Sequence, residues 1–214
     1  MIRVAFQTPD DVMAAIPQVI DHLKRHGAIA YPTETVYGFG GLLTEPALKR
    51  VAQLKSRADN KPFLLLVSNP AQCAGLEWNE DARKLAQSFW PGPLTLALRA
   101  TSGEYPVHVL SESQTVAVRE TPHAGLRSLL DALGEPITST SANLPRQAPA
   151  ADASAVEGIL ADLAAEDVLL LDGGTLAPSA PSTLVDCSVT PARVMRVGSI
   201  PVAKLREVVE HLDA

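Results

Sequence analysis

The stretch YPTETVYGFG, Tyr31–Gly40, follows the short apolar run Gly27–Ala30 and decides how the chain is read. The run predicts a buried strand over Ala28–Tyr31. That strand passes straight into proline, two threonines, a glutamate and a tyrosine, and then into a glycine cluster. A plain turn needs only Gly, Asn, Asp or Pro. The surplus of hydroxyl, carboxyl and phenol groups predicts a strand whose end faces a polar site.

Working outward, the segment before the strand predicts a helix. Thr8 is placed to cap it, Pro9 suits its first turn, and Asp10 and Asp11 complement its positive end. Val12, Ile16, Val19, Ile20 and Leu23 recur at helical spacing, and Gly27 is expected to stop the helix. Downstream, a second helix is expected from about Pro46 to Lys55, capped by Thr44, then a strand at Phe63–Val67 and a helix at Asn79–Trp90. The segments Leu94–Ala100 and Thr115–Glu120 alternate with strand period. Further helices are expected at Pro122–Leu133, Ala153–Ala165 and Val202–Leu212, and strands at Pro136–Thr140, Val168–Leu171, Thr183–Cys187 and Val194–Val197. This mixture predicts an α/β fold with a sheet flanked by helices, and the close strands after Leu94 make part of it antiparallel. No linker separates two domains, so residues 1–214 are expected to form one.

Composition narrows the function classes. The chain is 46% hydrophobic and 20% charged, as in soluble globular proteins. No apolar run approaches a membrane span, and the N-terminus has no secretory signal. The two cysteines, Cys73 and Cys187, form no C-x-x-C pattern and read as reduced thiols in a cytoplasmic protein. A net charge of −6 argues against a broad nucleic-acid surface, and 4% aromatics give little to stack bases on.

Four segments carry candidate chemistry. Lys55 falls on the same helical face as Leu48, so its amine aims at the edge of the core; Arg57 and Lys61 follow it in LKSRADNKP. The competing reading is that these cations answer the negative end of the helix. In ITSTSAN, Ser139, Ser141 and Asn143 share one side of a strand that leaves the core, which fits either a wet edge or a polar pocket. Arg119 shares a face with the small Thr115 and Ala117, leaving room for a guanidinium along the sheet, though an ordinary solvent-facing arginine reads equally well. Ser182 and Thr183 open a strand after a proline-rich loop, with Arg193 and Arg196 close behind; loop hydroxyls also serve as plain turn formers. WPGPLT, Trp90–Thr95, reads as a rigid structural turn. No P-loop, dinucleotide fingerprint or nucleophile elbow is present. His22 and His26 have the spacing of a metal pair without a companion ligand, and read as exposed helix histidines.

Taken together and in order, PTETVYGFG, KSR, WPGPLT, VAVR, TSTSAN and PSTLVD resemble the YrdC-like threonylcarbamoyl-AMP synthases, from about Val12 to Gly198. The resemblance implies a twisted mixed sheet around a deep cationic cleft. It also implies an enzyme joining L-threonine, bicarbonate or CO2, and ATP with its Mg2+ into threonylcarbamoyl-adenylate and pyrophosphate. A separate transferase complex would then modify tRNA, and a weak RNA contact is implied for some members. On that basis Lys55 and Arg57 are the candidate catalytic residues, and Thr33, Thr35, Tyr37 and Ser182 the candidate threonine ligands. Lys55, Arg57, Arg119, Ser141, Asn143, Thr183 and Arg193 are the candidate nucleotide ligands, with no protein metal ligand. Glu34 has no assigned role. Ser68 stands where some relatives carry a histidine, Leu144-Pro145-Arg146 replaces a common Ser-Gly, and Ala58 replaces a common proline. The chain also ends near the catalytic domain, without the C-terminal extension of longer relatives. The alternatives are a paralogue acting on another small carboxylate and an RNA-binding module.

Overall fold

The computed structural model describes residues 1–55 and 61–214. In chain order its elements are β1 (Ile2–Ala5), α1 (Pro9–Lys24), β2 (Ile29–Pro32), β3 (Tyr37–Gly40), α2 (Glu45–Leu54), β4 (Leu64–Val67), α3 (Glu80–Phe89), β5 (Leu94–Arg99) and β6 (Thr115–Glu120). They continue as α4 (Ala124–Leu133), β7 (Ile137–Ser141), α5 (Ala153–Asp162), β8 (Leu169–Asp172), β9 (Thr183–Asp186), β10 (Ala192–Arg196), α6 (Val202–Arg206) and β11 (Leu212–Asp213). These strands form one sheet in the order β1-β8-β2-β3-β7-β4-β6-β5-β9-β10-β11. The pairs β1–β8, β2–β8, β4–β6, β5–β9 and β10–β11 are parallel and the others antiparallel. The predicted mixed α/β sheet is therefore present.

The opening stretch is a β-hairpin. Tyr31 pairs with Gly38 and Pro32 with Tyr37, so YGFG is a strand that the sequence reading left as a glycine cluster. Glycine is depleted in strands, which hides the alternation. Here the glycines make room. A Cβ on Gly40 would lie 2.0 Å from the Thr138 carbonyl oxygen and 3.0 Å from the Tyr31 ring. The Tyr31 ring thus packs over the bare backbone of β3, and its hydroxyl donates to the Thr138 carbonyl at 3.0 Å.

Period-2 alternation sends the sheet's side chains to two faces. One face carries Tyr37, Phe39, Leu65, Val67, Leu96 and Val118 into a core with α2, α3 and α5. The other carries Tyr31, Leu66 and Ile137 into a second core with α1 and α4. These two helices cover only part of that second face. Its continuation over β7, β4, β6, β5 and β9 lines a cavity.

Helix α1 starts as expected: the Thr8 hydroxyl accepts from the Asp11 backbone and the Asp11 carboxylate accepts from the Thr8 backbone, a reciprocal cap. Its stop differs. His26, not Gly27, takes the left-handed conformation (φ 64°). The Gly27 N–H then reaches the His22 carbonyl at 3.0 Å and the His26 N–H the Leu23 carbonyl at 2.9 Å, a Schellman ending. The glycine is needed because a Cβ there would lie 2.2 Å from the His22 ring. Thr44 precedes α2 but makes no side-chain cap; its hydroxyl is hydrogen-bonded to His26 instead. The helix expected over Val202–Leu212 is shorter, because Leu212 and Asp213 pair with Ala192 and Arg193 as β11.

Candidate functional site

The cavity occupies about 580 Å³, within the roughly 300–1,000 Å³ range of small-molecule sites. Its floor is built by cross-strand neighbours: Gly38 beside Ser141, Ser139 beside Leu64, and Thr95 beside Leu184, which in turn pairs with Arg196. Directly paired residues project to the same side, so these six strands deliver one continuous surface. The turn between β2 and β3 closes one wall. There the Thr33 hydroxyl donates to the Val36 carbonyl (2.7 Å) and accepts from the Thr35 and Val36 backbones (3.1 and 3.2 Å). This self-closing turn presents Thr33 and Thr35 to the cavity, their hydroxyls 3.0 Å apart.

Two guanidinium groups enter the same space. Arg119, 4% exposed, projects from β6 along with Ala117, the face the sequence reading assigned to it. Its Nη1 lies 3.2 Å from Glu34 Oε1. Arg196 donates to the Ser182 carbonyl at 2.9 Å and to the Ser182 hydroxyl at 3.2 Å, and that hydroxyl is 2.8 Å from the Thr95 hydroxyl. Burial first, and then the like charge of Arg119, lower the Arg196 pKa from its ordinary value. Two mutually repelling guanidiniums in a half-enclosed cavity favour an anionic occupant.

Beside this lies a third cation. The Lys55 ammonium donates to the Ser141 carbonyl (2.8 Å), the Asn143 carbonyl (3.0 Å) and Asn143 Oδ1 (2.7 Å). Asn143 Oδ1 also accepts the Ser141 hydroxyl at 2.6 Å, while Nδ2 donates to the Leu144 and Gln147 carbonyls. Lys55 thus joins the end of α2 to the end of β7 and fixes the corner where Ser141 meets the cavity. Ser139 and Ser141 share that cavity side; Asn143 stands behind them.

Several expected site residues point elsewhere. Tyr37 follows the alternation onto the α2/α3/α5 face; its hydroxyl donates to the Gly174 carbonyl (2.8 Å) and accepts from the Gly173 N–H (2.9 Å). Burial pushes its pKa up to about 12. Thr183 pairs with Leu94, also facing away from the cavity, and its hydroxyl donates to the Ile200 carbonyl at 2.7 Å. Arg193 lies beyond the cavity rim, half exposed, 3.7 Å from Asp186. A bulge between Val194 and Arg196 explains why Arg196 takes the place by the cavity. Three residues apart on a regular strand, Arg193 and Arg196 would face opposite sides; the extra residue pairs Arg196 with Leu184. Ser68 is buried against Gln72, hydroxyl to Oε1 at 3.2 Å, and does not line the cavity. His22 is half-buried rather than exposed and bonds the Ala28 carbonyl, whereas His26 bonds Thr44, so the two diverge. Arg57 and Ala58 lie outside the described residues. Ser139, Thr95 and Arg196 line the cavity although the sequence reading gave none of them a ligand role. Thr95 was legible as the polar member of an otherwise apolar alternation; Arg196 depended on the bulge.

Among the described residues no group of three or more His, Cys, Asp or Glu could hold a metal ion, and the Glu34 carboxylate is paired with Arg119. No helix among them is long and apolar enough to cross a membrane.

Comparison with known proteins identifies the family. The family model Sua5_yciO_yrdC, described as "Telomere recombination", matches residues 21–198. The chain is 33% identical over 187 residues to the threonylcarbamoyl-AMP synthase of Pyrococcus abyssi, covering 86% of this chain and 54% of that protein. It is 34% identical over 155 residues to the threonylcarbamoyl-AMP synthase of Aliivibrio fischeri, covering 70% and 83%. The structure of P. abyssi Sua5 complexed with L-threonine matches 99% of this chain and 61% of that one, with a TM-score of 0.86 and 29% identity. The chain thus spans little more than half the length of the Pyrococcus relative. Fold, motif order and similarity agree: the chain belongs to the Sua5/YciO/YrdC family.

Proposed function

We propose that this chain makes threonylcarbamoyl-AMP from L-threonine, bicarbonate or CO2, and ATP, releasing pyrophosphate, as the first step in threonylcarbamoyl modification of tRNA. The observation that carries the reading is the cavity itself. Hydroxyl donors (Thr35, Ser139, Ser141, Ser182) and the guanidiniums of Arg119 and Arg196 converge there, and 99% of this chain matches part of a relative solved with L-threonine. A small hydroxy-amino acid needs hydroxyl partners and a cation for its carboxylate, and phosphates suit guanidinium forks.

In this reading the threonine amine attacks the carbon of CO2 and loses a proton, giving a carbamate. A carbamate oxygen then attacks the α-phosphorus, and the bond to the bridging oxygen breaks to release pyrophosphate. Carbamates decompose in water, so holding the reactants close inside a cavity supplies much of the advantage. Arg119 and Arg196 stabilise charge on carboxylate and phosphate oxygens. Lys55 fixes the Ser141–Asn143 corner and adds positive potential. Arg57, on the sequence motif, belongs to the same set. Mg2+ enters as the counter-ion of the nucleotide substrate, supplying charge neutralisation on phosphate, and the protein's own residues do the positioning.

We read residues 1–214 as one domain of this kind, on the ground of the continuous sheet. Two buried free cysteines fit a cytoplasmic location. Transfer to tRNA falls to a separate transferase complex, and the net charge of −6 leaves RNA contact a minor part. The test is pyrophosphate release from the purified protein with ATP, Mg2+ and bicarbonate. Release that requires threonine supports the reading. Release with another small carboxylate in its place, or none from a folded ATP-binding sample, overturns it.

A further inference from the structure

Glu34 sits between two threonines that face the cavity, yet its own side chain does not line it. The turn closed by the Thr33 hydroxyl explains this: it rotates Thr33 and Thr35 inward and sends Glu34 behind the wall. There the carboxylate meets Arg119, which does line the cavity, at 3.2 Å, with the Glu34 and Arg119 side chains 18% and 5% exposed. Neither Glu34 oxygen has hydrogen-bond geometry to any described donor, and Arg119 Nε is likewise without a partner. The pair is held by charge at close range rather than as an aligned fork, so the guanidinium keeps donor capacity for something else. A buried guanidinium beside a second one carries a desolvation and repulsion cost, which a counter-charge at this range offsets. Arg196 is that second arginine, and it feels the charge of Arg119.

We infer that Glu34 is a positioning residue, which holds the Arg119 guanidinium against the cavity wall so that its remaining N–H groups meet the anionic part of the ligand. The role rests on the reading of this cavity as the reaction site. Glu34 touches no reacting atom; it acts through Arg119.

A double-mutant cycle tests this, with Glu34→Gln and Arg119→Met singly and together. Two readouts are used: kcat/KM for threonine-dependent pyrophosphate release, and ATP affinity by calorimetry, which needs no turnover. Glu34→Gln is expected to lower kcat/KM roughly a hundredfold, the scale of an ångström-sized misplacement, and to weaken ATP. In the Arg119→Met background it is expected to change neither. Equal losses in both backgrounds, or a Glu34→Gln protein with wild-type values, overturn the inference. Should Arg119→Met fail to fold, Glu34→Asp decides: it keeps the charge and must retain at least about tenfold more activity and tighter ATP binding than Glu34→Gln. Equal loss in both overturns the role. If wild type binds ATP but shows no threonine-dependent release, the functional reading falls and the calorimetric cycle still decides on Glu34. A wild type that binds no ATP overturns both.

Discussion

Lys55 and Asn143, far apart in sequence, meet at 2.7 Å between the ammonium and the side-chain carbonyl, and the same oxygen takes the Ser141 hydroxyl at 2.6 Å. Lys55, the first residue of KSR, and the end of TSTSAN, which looked independent in the chain, are therefore one structural unit. Replacing Lys55 by Ala removes a charged donor to three acceptors at once. The expected cost is about 1.5–3 kcal/mol of stability, read by urea denaturation. A loss of roughly a hundredfold or more in pyrophosphate release should accompany it, as for removal of a charge-stabilising donor. Unchanged turnover in a folded Lys55→Ala protein would remove the lysine from the site.

Tyr37 gives the converse case. Its hydroxyl bridges Gly173 and Gly174 on the far face of the sheet, so Tyr37→Phe should lose about 1–2 kcal/mol of stability. The threonine KM should stay within twofold of wild type in the same assay. A selective rise in that KM would restore the phenol to the substrate pocket.

The two arginines of β10 should separate cleanly. Arg193 forms an exposed, loose pair with Asp186, and Arg193→Ala should cost well under about 1 kcal/mol and leave ATP affinity unchanged. Arg196 is held by Ser182 beside the cavity, and Arg196→Met should weaken ATP at least tenfold, the effect of losing about 1.4 kcal/mol. Calorimetry on the two variants checks the contrast; equal effects would contradict the bulge-based assignment.

The sequence showed the α/β class, the capped start of α1 and the strand face that Arg119 shares with Ala117, because these follow from a local cap and strict alternation. It hid β3, since glycines at 38 and 40 erase the pattern while serving the Tyr31 ring. It misjudged Tyr37 and Thr183 because a polar residue in a strand reveals its type but not its face until the pairing partner is known. Arg196 rather than Arg193 reaches the cavity because one extra residue in the ladder brings it opposite Leu184, which no local propensity encodes. The β11 pairing that shortens α6 is likewise a tertiary contact overriding a helical pattern.

His123 links stability to pH. It caps α4 by accepting the Leu126 N–H at its Nδ1, so the neutral ring carries its proton on Nε2, and it stacks on Phe6. Burial lowers its pKa below the ordinary 6.5, against the opposing pull of the Glu34 charge. The folded state then binds a proton less readily than the unfolded chain. The stabilisation is complete above pH 6.5 and is lost as pH falls from there towards the folded value. His123→Asn keeps a capping acceptor but does not titrate. Unfolding curves between pH 7 and about 5 should show a smaller fall in stability for this variant than for wild type; identical slopes would contradict the assignment.

The central claim is the chemistry of the cavity, and the most direct test follows the carbon. The protein would be supplied with 13C-bicarbonate, ATP, Mg2+ and L-threonine, and the nucleotide product examined by mass spectrometry and 13C NMR. The account predicts an adenylate containing both threonine and the labelled carbon, formed in step with pyrophosphate and absent when threonine is withheld. A nucleotide product without the label, or a labelled adenylate built on another acid, would contradict it.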